Sequence, residues 1–295
     1  MRVPAISIVI PTYNTAAMTL GCCRSVLSSM PESSELIVVD DGSHDGTVDV
    51  LSSQAPQVRV LRLETNRGFA AAANRGVAEA TGDIILLLNS DAVVEDGALQ
   101  AFLSAFENDS SLGVAGARLL EQDGRPQWSG GTTPTLLWMI GVVSGAGHLA
   151  RRFRRKIDDP NRGIDWVSGA AMAFRRAVWR DAGPLSERFL FYCQDLDFCV
   201  HARAAGWKIR IIENARVVHA LGGTVAGSSR LRQDPERLWS DLLAWGSGYY
   251  GRRWAVVARM VLIAAALGRI AVGAVRGDES TPALVRAIRR LADRS

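Results

Sequence analysis

The first 106 residues alternate between short apolar runs and segments with helical periodicity, and this alternation limits the fold more than any single motif does. The apolar runs predict four buried strands, at residues 5–10, 35–39, 58–63 and 83–88. The segments that follow them predict four helices, at residues 15–28, 46–53, 68–80 and 97–106. This alternation predicts an α/β protein with a mostly parallel sheet that is covered by helices on both faces.

A polar turn follows each predicted strand. The four turns are Pro11-Thr12-Tyr13-Asn14, Asp40-Asp41-Gly42-Ser43, Glu64-Thr65-Asn66-Arg67-Gly68 and Asn89-Ser90-Asp91. We expect them on one rim, because ligands of open α/β sheets bind beyond the carboxyl ends of the strands. Their acidic groups, together with the imidazole of His219, are what a metal-assisted reaction on a phosphorylated substrate requires.

The segment from Phe189 to Phe198 places two carboxylates, Asp195 and Asp197, among aromatic and apolar residues before a predicted helix. Burying a carboxylate costs free energy unless other interactions offset the cost. Asp195 is therefore either a functional group or a cap of the following helix, because aspartate is common at helix starts.

Composition and cysteine usage indicate the class of protein. Of the 295 residues, 48% are hydrophobic and 22% are charged, which excludes a disordered chain. The four cysteines lie in apolar contexts without CxxC spacing, so we expect neither a disulfide framework nor a structural zinc site. The N-terminal residues lead directly into the first strand, without the apolar region of a signal peptide. These features predict a cytoplasmic protein.

The C-terminal 45 residues are both basic and apolar. Residues 251–295 contain nine arginines and three acidic residues, a net charge of +6, which leaves −2 for residues 1–250. An apolar run at 254–272 is interrupted by Arg259 and Arg269. It fits a helix lying on anionic lipid better than one crossing a bilayer, and a helix packed in a soluble core is the alternative. Nucleic-acid binding is the weaker explanation of the arginines, because no recognised nucleic-acid module accompanies them.

The domain organisation is predicted from the same patterns. The alternation of strands and helices loosens after residue 113, and we expect one α/β domain over residues 1–230. Residues 231–295 are predicted to form a helical, basic extension. A second segment near lipid or acceptor is predicted at 132–150, a mobile loop and helix that the basic run 151–156 follows.

Several ordered motifs in residues 5–225 resemble the signatures of family 2 glycosyltransferases of the GT-A fold. The motifs are Ile8–Asn14, Val38–Ser43, Asn66–Asn74 and Leu88–Asp91. Two later motifs, Trp166–Met172 and Tyr192–Asp197, resemble the rhamnosyltransferase-like branch. Ordered motifs at proper spacing are far more specific than any one motif alone.

The resemblance implies an inverting, metal-dependent sugar transfer from a nucleotide-diphosphate sugar, with dTDP-L-rhamnose as the expected donor. The acceptor would be a cell-envelope glycan or a lipid-linked glycan, at the cytoplasmic face of the cell membrane. The divalent cation, Mg²⁺ or Mn²⁺, would be held by Asp91 and His219, with Asn89 as a weaker neutral ligand. The residues alone also allow another interpretation of Asp91, as a turn residue or a helix cap. A lone histidine such as His219 is more often a structural residue than a metal ligand.

The resemblance also assigns the remaining site residues. Asp195 is the expected general base, with Gln194 standing where the family usually has Glu, and Asp197 is expected to be structural. The residues expected to contact the nucleotide sugar are Pro11, Thr12, Asn14, Asp40, Asp41, Asn66, Arg67, Asn89 and Ser90. Asp40 alternatively ends its strand, Ser43 caps the next helix, and Arg67 either pairs with phosphate or is a solvated residue at a helix start.

Two other classes of function compete with sugar transfer. A nucleotidyltransferase would typically carry a glycine-rich phosphate loop with a basic residue near the N-terminus, and residues 9–16 contain none. A GT-A module that binds a nucleotide sugar without catalysis would bind donor but neither transfer nor hydrolyse it.

Overall fold

The structure is a computed structural model that describes residues 5–136, 138–139, 164–189, 191–220, 235–276 and 281–292. The basic run 151–156, most of the predicted segment 132–150, Leu190 and the residues 221–224 after His219 lie outside these ranges. The chain divides into two compact units. The first comprises residues 1–132, 163–187 and 194–225, and the second comprises residues 133–162, 188–193 and 226–295. The boundary predicted at residue 230 stays a prediction.

The described residues of the first unit form ten strands. They are β1 (Ile6–Thr12), β2 (Ser34–Asp40), β3 (Arg59–Arg62), β4 (Ile84–Leu88), β5 (Ala92–Val94), β6 (Leu112–Leu120), β7 (Gly130–Gly131), β8 (Trp166–Val167), β9 (Ala171–Arg175) and β10 (Lys208–His219). Eight of them form one sheet in the order β3-β2-β1-β4-β9-β6-β10-β5, while β7 and β8 form a separate antiparallel pair.

The main sheet is mostly parallel, as the sequence predicts. Strand β1 pairs in parallel with β2 and β4, β2 with β3, and β6 with β10. Strands β1 and β4 are buried at every position, which explains why each one is a continuous apolar run. The antiparallel strand β9 lies between β4 and β6, and it brings the segment before Ala171 to the carboxyl end of β4.

Among the described residues, six helices with complete bounds also belong to the first unit, and three belong to the second. The first six are α1 (Ala16–Leu27), α2 (Thr47–Gln54), α3 (Phe69–Glu79), α4 (Ala98–Asn108), α5 (Arg176–Ala182) and α6 (Gln194–Ala204). The second unit has α7 (Pro235–Tyr250), α8 (Arg252–Arg276) and α9 (Thr281–Ala292). The first four strands and four helices begin and end within two residues of the bounds that the sequence predicts. The α/β fold class is therefore confirmed.

The three helices of the second unit pack on one another. The apolar face of α9 is buried through Leu284, Ala287 and Leu291. Its basic face meets α7, where Arg290 Nη1 lies 2.8 Å from Glu236 Oε1. Within the described residues one helix, α8, is long enough and apolar enough to cross a membrane. The stretch concerned is Arg252–Ala271, and its mean hydropathy is 1.8. Core helices of soluble proteins can meet the same criterion.

Candidate functional site

The turns after β2 and β3 are joined by the side chain of Asp41. Its Oδ1 accepts the N–H of Arg67 and its Oδ2 accepts the N–H of Gly68, both at 2.8 Å. Burial raises the pKa of the Asp41 carboxyl, although these two hydrogen bonds oppose the rise. Gly42 has a φ of +76°, and a Cβ there would lie 2.9 Å from the carbonyl carbon of Thr65. Only glycine therefore allows the two turns to approach so closely.

The turns after β1 and β2 are joined by Asn14, which has a φ of +52°. Its backbone N–H donates to Ser43 Oγ at 2.9 Å, and its Oδ1 accepts the N–H of His44 at 2.8 Å. Ser43 is therefore a partner of Asn14, and the alternative that it caps α2 is wrong. The N-cap position of α2 is Gly46, and the preceding Asp45 bonds the first turn, because its Oδ1 accepts the N–H of Thr47 at 3.1 Å.

Asp40 ends β2 with its side chain fully buried. Both of its carboxylate oxygens lie 3.3 Å from the N–H nitrogen of Ser43, and Oδ2 lies 3.6 Å from Arg62 Nε. These contacts agree with the alternative in which Asp40 ends its strand. The predicted contact of Asp40 with the nucleotide stays a prediction.

Two of the predicted nucleotide contacts belong to a buried cluster of hydroxyl groups beneath the rim. Thr12 Oγ1 lies 2.8 Å from Thr15 Oγ1 and 2.6 Å from Thr19 Oγ1, and Thr15 Oγ1 lies 3.1 Å from Ser90 Oγ. This cluster connects the end of β1 to the turn after β4. Because their hydroxyls face these partners, Thr12 and Ser90 shape the rim, and any contact of theirs with a nucleotide stays a prediction.

Asp91 and His219 come together because β5 and β10 are antiparallel neighbours. His219 is paired with Ala92, and the N–H of Ala220 donates to the carbonyl oxygen of Asp91 at 3.1 Å. His219 Nε2 lies 3.2 Å from Asp91 Oδ1 and 3.2 Å from Asn89 Nδ2. The fold therefore unites the three residues that the sequence proposes as metal ligands.

Gln127 orients the ring of His219. Its Oε1 lies 2.8 Å from His219 Nδ1, and its Nε2 donates to the carbonyl oxygen of His219 at 3.1 Å. An amide oxygen can only accept, so Nδ1 carries a proton and the lone pair of a neutral ring lies on Nε2, toward Asp91. Such partners commonly fix the tautomer of metal-binding histidines.

The residues around Asp91 fit a divalent cation. Asp91 Oδ1 is buried and accepts no hydrogen bond from any described residue, which is costly for a carboxylate oxygen. A cation beside Oδ1 would satisfy this oxygen, and the lone pair of His219 Nε2, which accepts from Asn89 Nδ2 at 3.2 Å, lies beside the same place. Within the described residues no group of three His, Cys, Asp or Glu side chains could hold a metal, and the metal-ligand roles of Asp91 and His219 stay predictions. Carboxylate and imidazole ligands suit Mn²⁺.

Asp195 is in the first turn of α6, and both of its carboxylate oxygens are hydrogen-bonded. Oδ2 accepts the N–H of Gly169 and Oδ1 accepts the N–H of Leu196, both at 2.8 Å. The bond to Leu196 agrees with a role at the helix start, and the bond to Gly169 adds a partner from another element. Burial raises the pKa of the Asp195 carboxyl, and the two N–H groups oppose part of the rise.

The Gly169–Ala170 peptide connects Asp195 to the turn after β4. The N–H of Asn89 donates to the carbonyl oxygen of Ala170 at 3.0 Å, and the N–H of Gly169 is held by Asp195. The candidate base and the candidate metal ligands are therefore tied to one short segment at the carboxyl end of β4. Asp197 is buried, and its Oδ2 lies 3.7 Å from Nδ1 of His201 on the same helix. These contacts agree with a structural role.

Two other predicted residues lie exposed on the rim. Asn66 is exposed, and the Arg67 side chain is 62% exposed with its Nη2 3.6 Å from Glu187 Oε2. The position of Glu187 is explained by Asn74, whose side chain bonds the N–H and carbonyl of Leu185 at 3.0 and 2.9 Å. Arg67 is thus a solvent-accessible residue at a helix start with a weak ion pair, free to turn toward a phosphate.

Sequence reasoning missed Gln127. It lies between β6 and β7, outside every recognised motif, and no local pattern marks it as a partner of His219. Gly169 belongs to the motif Trp166–Met172, but its hydrogen bond to Asp195 depends on the pairing of β9 with β4.

Residues 7–182, more than half of the chain, match the family model described as glycosyl transferase family 2. Among curated proteins, the N-acetylglucosaminyl-diphospho-decaprenol L-rhamnosyltransferase of Mycobacterium tuberculosis is 26% identical over 201 residues. That alignment covers 62% of this chain and 66% of the relative, slightly less than two thirds of its length.

Two solved structures resemble the whole fold. The mannosyltransferase PcManGT from Pyrobaculum calidifontis, in complex with GDP-Man and Mn²⁺, has a TM-score of 0.59 at 18% identity, covering 99% of this chain and 81% of that chain. Residues 1–349 of TarS from S. aureus have a TM-score of 0.57 at 18% identity, covering 97% and 79%. At these identities the likeness concerns the fold.

Proposed function

This chain belongs to the family 2 glycosyltransferases, and we propose that it transfers a sugar from a nucleoside-diphosphate donor to an acceptor hydroxyl with inversion at the anomeric carbon. The observation that carries the proposal is the pairing of Asp91 Oδ1 with His219 Nε2 at 3.2 Å, where the carboxylate oxygen accepts no hydrogen bond from a described residue. The same end of β4 is tied through Gly169 and Ala170 to Asp195.

Asp91 and His219 are proposed to hold Mg²⁺ or Mn²⁺, with Asn89 as a weaker neutral ligand. When bound, the cation offsets the negative charge that develops on the leaving diphosphate. Gln127 maintains the His219 tautomer whose Nε2 can bind a metal. Two protein ligands leave room for diphosphate oxygens, so we expect metal and donor to strengthen each other's binding.

Asp195 is proposed as the general base. It removes the proton of the acceptor hydroxyl while that oxygen forms a bond to the anomeric carbon. The bond from that carbon to the diphosphate breaks, and its electron pair leaves with the nucleoside diphosphate. The raised pKa of Asp195 suits this role, because a stronger base accepts a proton more readily.

The nucleotide is proposed to bind on the rim formed by the first three turns. Pro11, Thr12 and Asn14 lie beneath the base and ribose, Asp41 on their edge, and Asn66 and Arg67 near the base. Asp41 shapes this surface directly, since it holds the N–H groups of Arg67 and Gly68. Asp40 and Ser90 contribute from below, through the buried bonds described above.

The donor and acceptor are proposed from the mycobacterial relative. Its name specifies transfer of L-rhamnose to N-acetylglucosaminyl-diphospho-decaprenol, so we propose dTDP-L-rhamnose as donor and a lipid-linked or other cell-envelope glycan as acceptor. A lipid-linked acceptor would place the enzyme at the cytoplasmic face of a membrane.

We propose that the exposed face of α8 lies on an anionic lipid surface. Only 17% of the most apolar stretch of this helix is buried. Val256, Met260 and Leu267 are 58%, 57% and 54% exposed, and their spacing of four and seven residues places them on one face of the helix. Arg252 and Arg253 are exposed at the start of the helix. Exposed apolar residues beside arginines favour an in-plane helix, because insertion of the apolar residues and attraction to anionic headgroups act together.

A panel of nucleotide sugars tests the donor. Thermal unfolding of the purified chain is measured with each nucleotide sugar, with and without Mn²⁺, because a ligand that binds the native state raises its stability. We expect the largest rise with dTDP-L-rhamnose and Mn²⁺ together. Equal rises for all dTDP-sugars would contradict the assignment of the sugar, and no rise with any nucleotide sugar would contradict the proposed function. Donor binding without transfer or hydrolysis would indicate a non-catalytic module.

A further inference from the structure

Asp241, on α7, holds the chain just before the proposed general base. Its side chain is 2% exposed, and its Oδ2 accepts the N–H groups of both Phe191 and Tyr192, each at 2.8 Å. Two N–H groups that converge on one carboxylate oxygen form strong, directional bonds. The peptide planes of Phe191 and Tyr192 are therefore fixed in orientation.

The same face of α7 contacts the rest of this segment. Positions 237, 241 and 248 lie on one side of the helix, because they are separated by four and seven residues. The guanidinium of Arg237 lies 5.8 Å from the Phe191 ring, and that of Arg188 lies 4.6 Å from the Phe189 ring. A Cβ at Gly248 would lie 3.5 Å from Arg188 Nη1, so the helix surface and this arginine are in contact distance. Helix α7 thus supports Arg188, Phe191 and Tyr192.

The supported segment leads into a strained turn. Cys193 has a φ of +70°, and within the described residues Asn14 is the one other non-glycine residue with a positive φ. This conformation is unfavourable for a residue with a Cβ, and it persists only where the surroundings enforce it. Asp241 accepts the N–H of Tyr192, the residue just before Cys193. The next residue after Cys193 is Gln194, which begins α6, and Asp195 is the second residue of that helix.

We infer that Asp241 is a positioning residue for sugar transfer: by holding the N–H groups of Phe191 and Tyr192, it enforces the turn at Cys193 that directly precedes α6 and Asp195. The inference rests on the proposed role of Asp195. It assigns a function to α7, which the family match at residues 7–182 does not reach.

The test compares Asp241→Leu, Asp241→Asn and Ser240→Ala in the full chain. Ser240 is the matched control, since it is buried on the same helix and its Oγ bonds the carbonyl of Glu236 in that helix. Turnover is measured with dTDP-L-rhamnose and N-acetylglucosaminyl-diphospho-decaprenol, donor affinity by calorimetry, and local opening by amide hydrogen exchange of a peptide spanning 191–196.

We expect Asp241→Leu to lower kcat about 30-fold or more, with donor Kd within about twofold and faster exchange confined to 191–196. Asp241→Asn should lose less, because its amide oxygen still accepts a hydrogen bond, and Ser240→Ala should retain kcat and exchange. Normal kcat in Asp241→Leu, or equal losses of kcat and donor affinity, would overturn the inference. If Asp241→Leu does not fold, Asp241→Asn decides: unchanged kcat and unchanged exchange would overturn it.

Asp195→Asn, measured in parallel, separates this inference from the proposed function. If Asp195→Asn keeps its turnover, the proposed base is wrong, and with it the positioning role. If Asp195→Asn loses turnover while the Asp241 variants do not, the base assignment holds and the positioning role fails.

Discussion

The Nε2 atom of His219 lies 3.2 Å from Oδ1 of Asp91, across the antiparallel pair that β10 forms with β5. Gln127 holds the opposite ring nitrogen at 2.8 Å, so a neutral His219 directs its lone pair toward the carboxylate. Two acceptors that face each other in a buried place repel unless a proton or a cation lies between them. The pair lies in the part of the site that we propose to bind metal and diphosphate, and Asp195 lies in the part that we propose to handle the proton.

Replacing Asp195 tests the base. Asp195→Asn should lower kcat about 100-fold or more and leave donor affinity nearly intact, because the amide cannot accept the acceptor proton. Steady-state kinetics and donor calorimetry measure the two effects. Asp197→Asn is the control, since Asp197 is buried on the same helix without a proposed catalytic role. Near-normal turnover of Asp195→Asn would refute the assignment.

The pH dependence of kcat/KM should report the raised pKa of Asp195. The base acts only when ionised, so kcat/KM should fall as the pH is lowered through that pKa, at a pH above the ordinary value for aspartate of about 3.9. Steady-state kinetics at saturating Mn²⁺ measure the profile. A profile that stays flat down to the ordinary pKa of aspartate would contradict the role of Asp195 as the base.

Metal-dependent donor binding should depend on Asp91 and His219. Asp91→Ala and His219→Ala should each abolish most of the gain in donor affinity that Mn²⁺ produces, and Gln127→Leu should reduce it about 10-fold or more, because the His219 ring loses its orienting partner. Calorimetric titration with donor, in Mn²⁺ and in chelator, measures the gain. Asp195→Asn is the control and should keep the full gain. Unchanged metal dependence in His219→Ala would return that histidine to a structural role.

Stability should depend on the glycine between two rim turns. Gly42 and Gly46 have φ values of +76° and +78°, but only at Gly42 would a Cβ meet a neighbour, 2.9 Å from the carbonyl carbon of Thr65. Gly46→Ala should therefore cost about 1–2 kcal/mol for the left-handed backbone alone, and Gly42→Ala should cost more. Urea unfolding measures both. Equal losses in the two variants would show that the turns can separate without penalty.

Membrane binding should depend on the exposed face of α8. The double variant Val256→Glu, Met260→Glu places two charges on residues that are 58% and 57% exposed, so it should fold normally and lose affinity for phosphatidylglycerol vesicles. Val93→Glu, at a residue 47% exposed on β5, is the control for added charge. Binding of the unaltered chain should weaken as salt rises, since salt screens the arginines. No binding at low salt, or equal binding of the double variant, would contradict the proposal.

The early strands and helices were predictable because their signal is local. Runs such as Ile6–Ile10 and Ile84–Leu88 are apolar at consecutive positions, and a strand buried on both faces requires that pattern wherever it lies in the sheet. The rim turns follow from the same rule, since parallel strands end at one edge. The assignments of Asp91, Asp195 and His219 came from ordered motifs that resemble those of a known family.

Tertiary structure decided how these residues are supported, because their partners are distant in sequence. The insertion of β9 against β4 gives Asp195 the N–H of Gly169, and the pairing of β10 with β5 brings His219 to Asp91 and Gln127. Asp241 reaches the 191–192 peptides from a helix in the stretch that the sequence predicts only as a helical, basic extension. Only the tertiary structure shows which face of α8 is buried and which is exposed. The sequence of an apolar helix is the same whether or not neighbouring residues cover it. Local periodicity determines which elements form, and the packing of those elements determines which side chains meet.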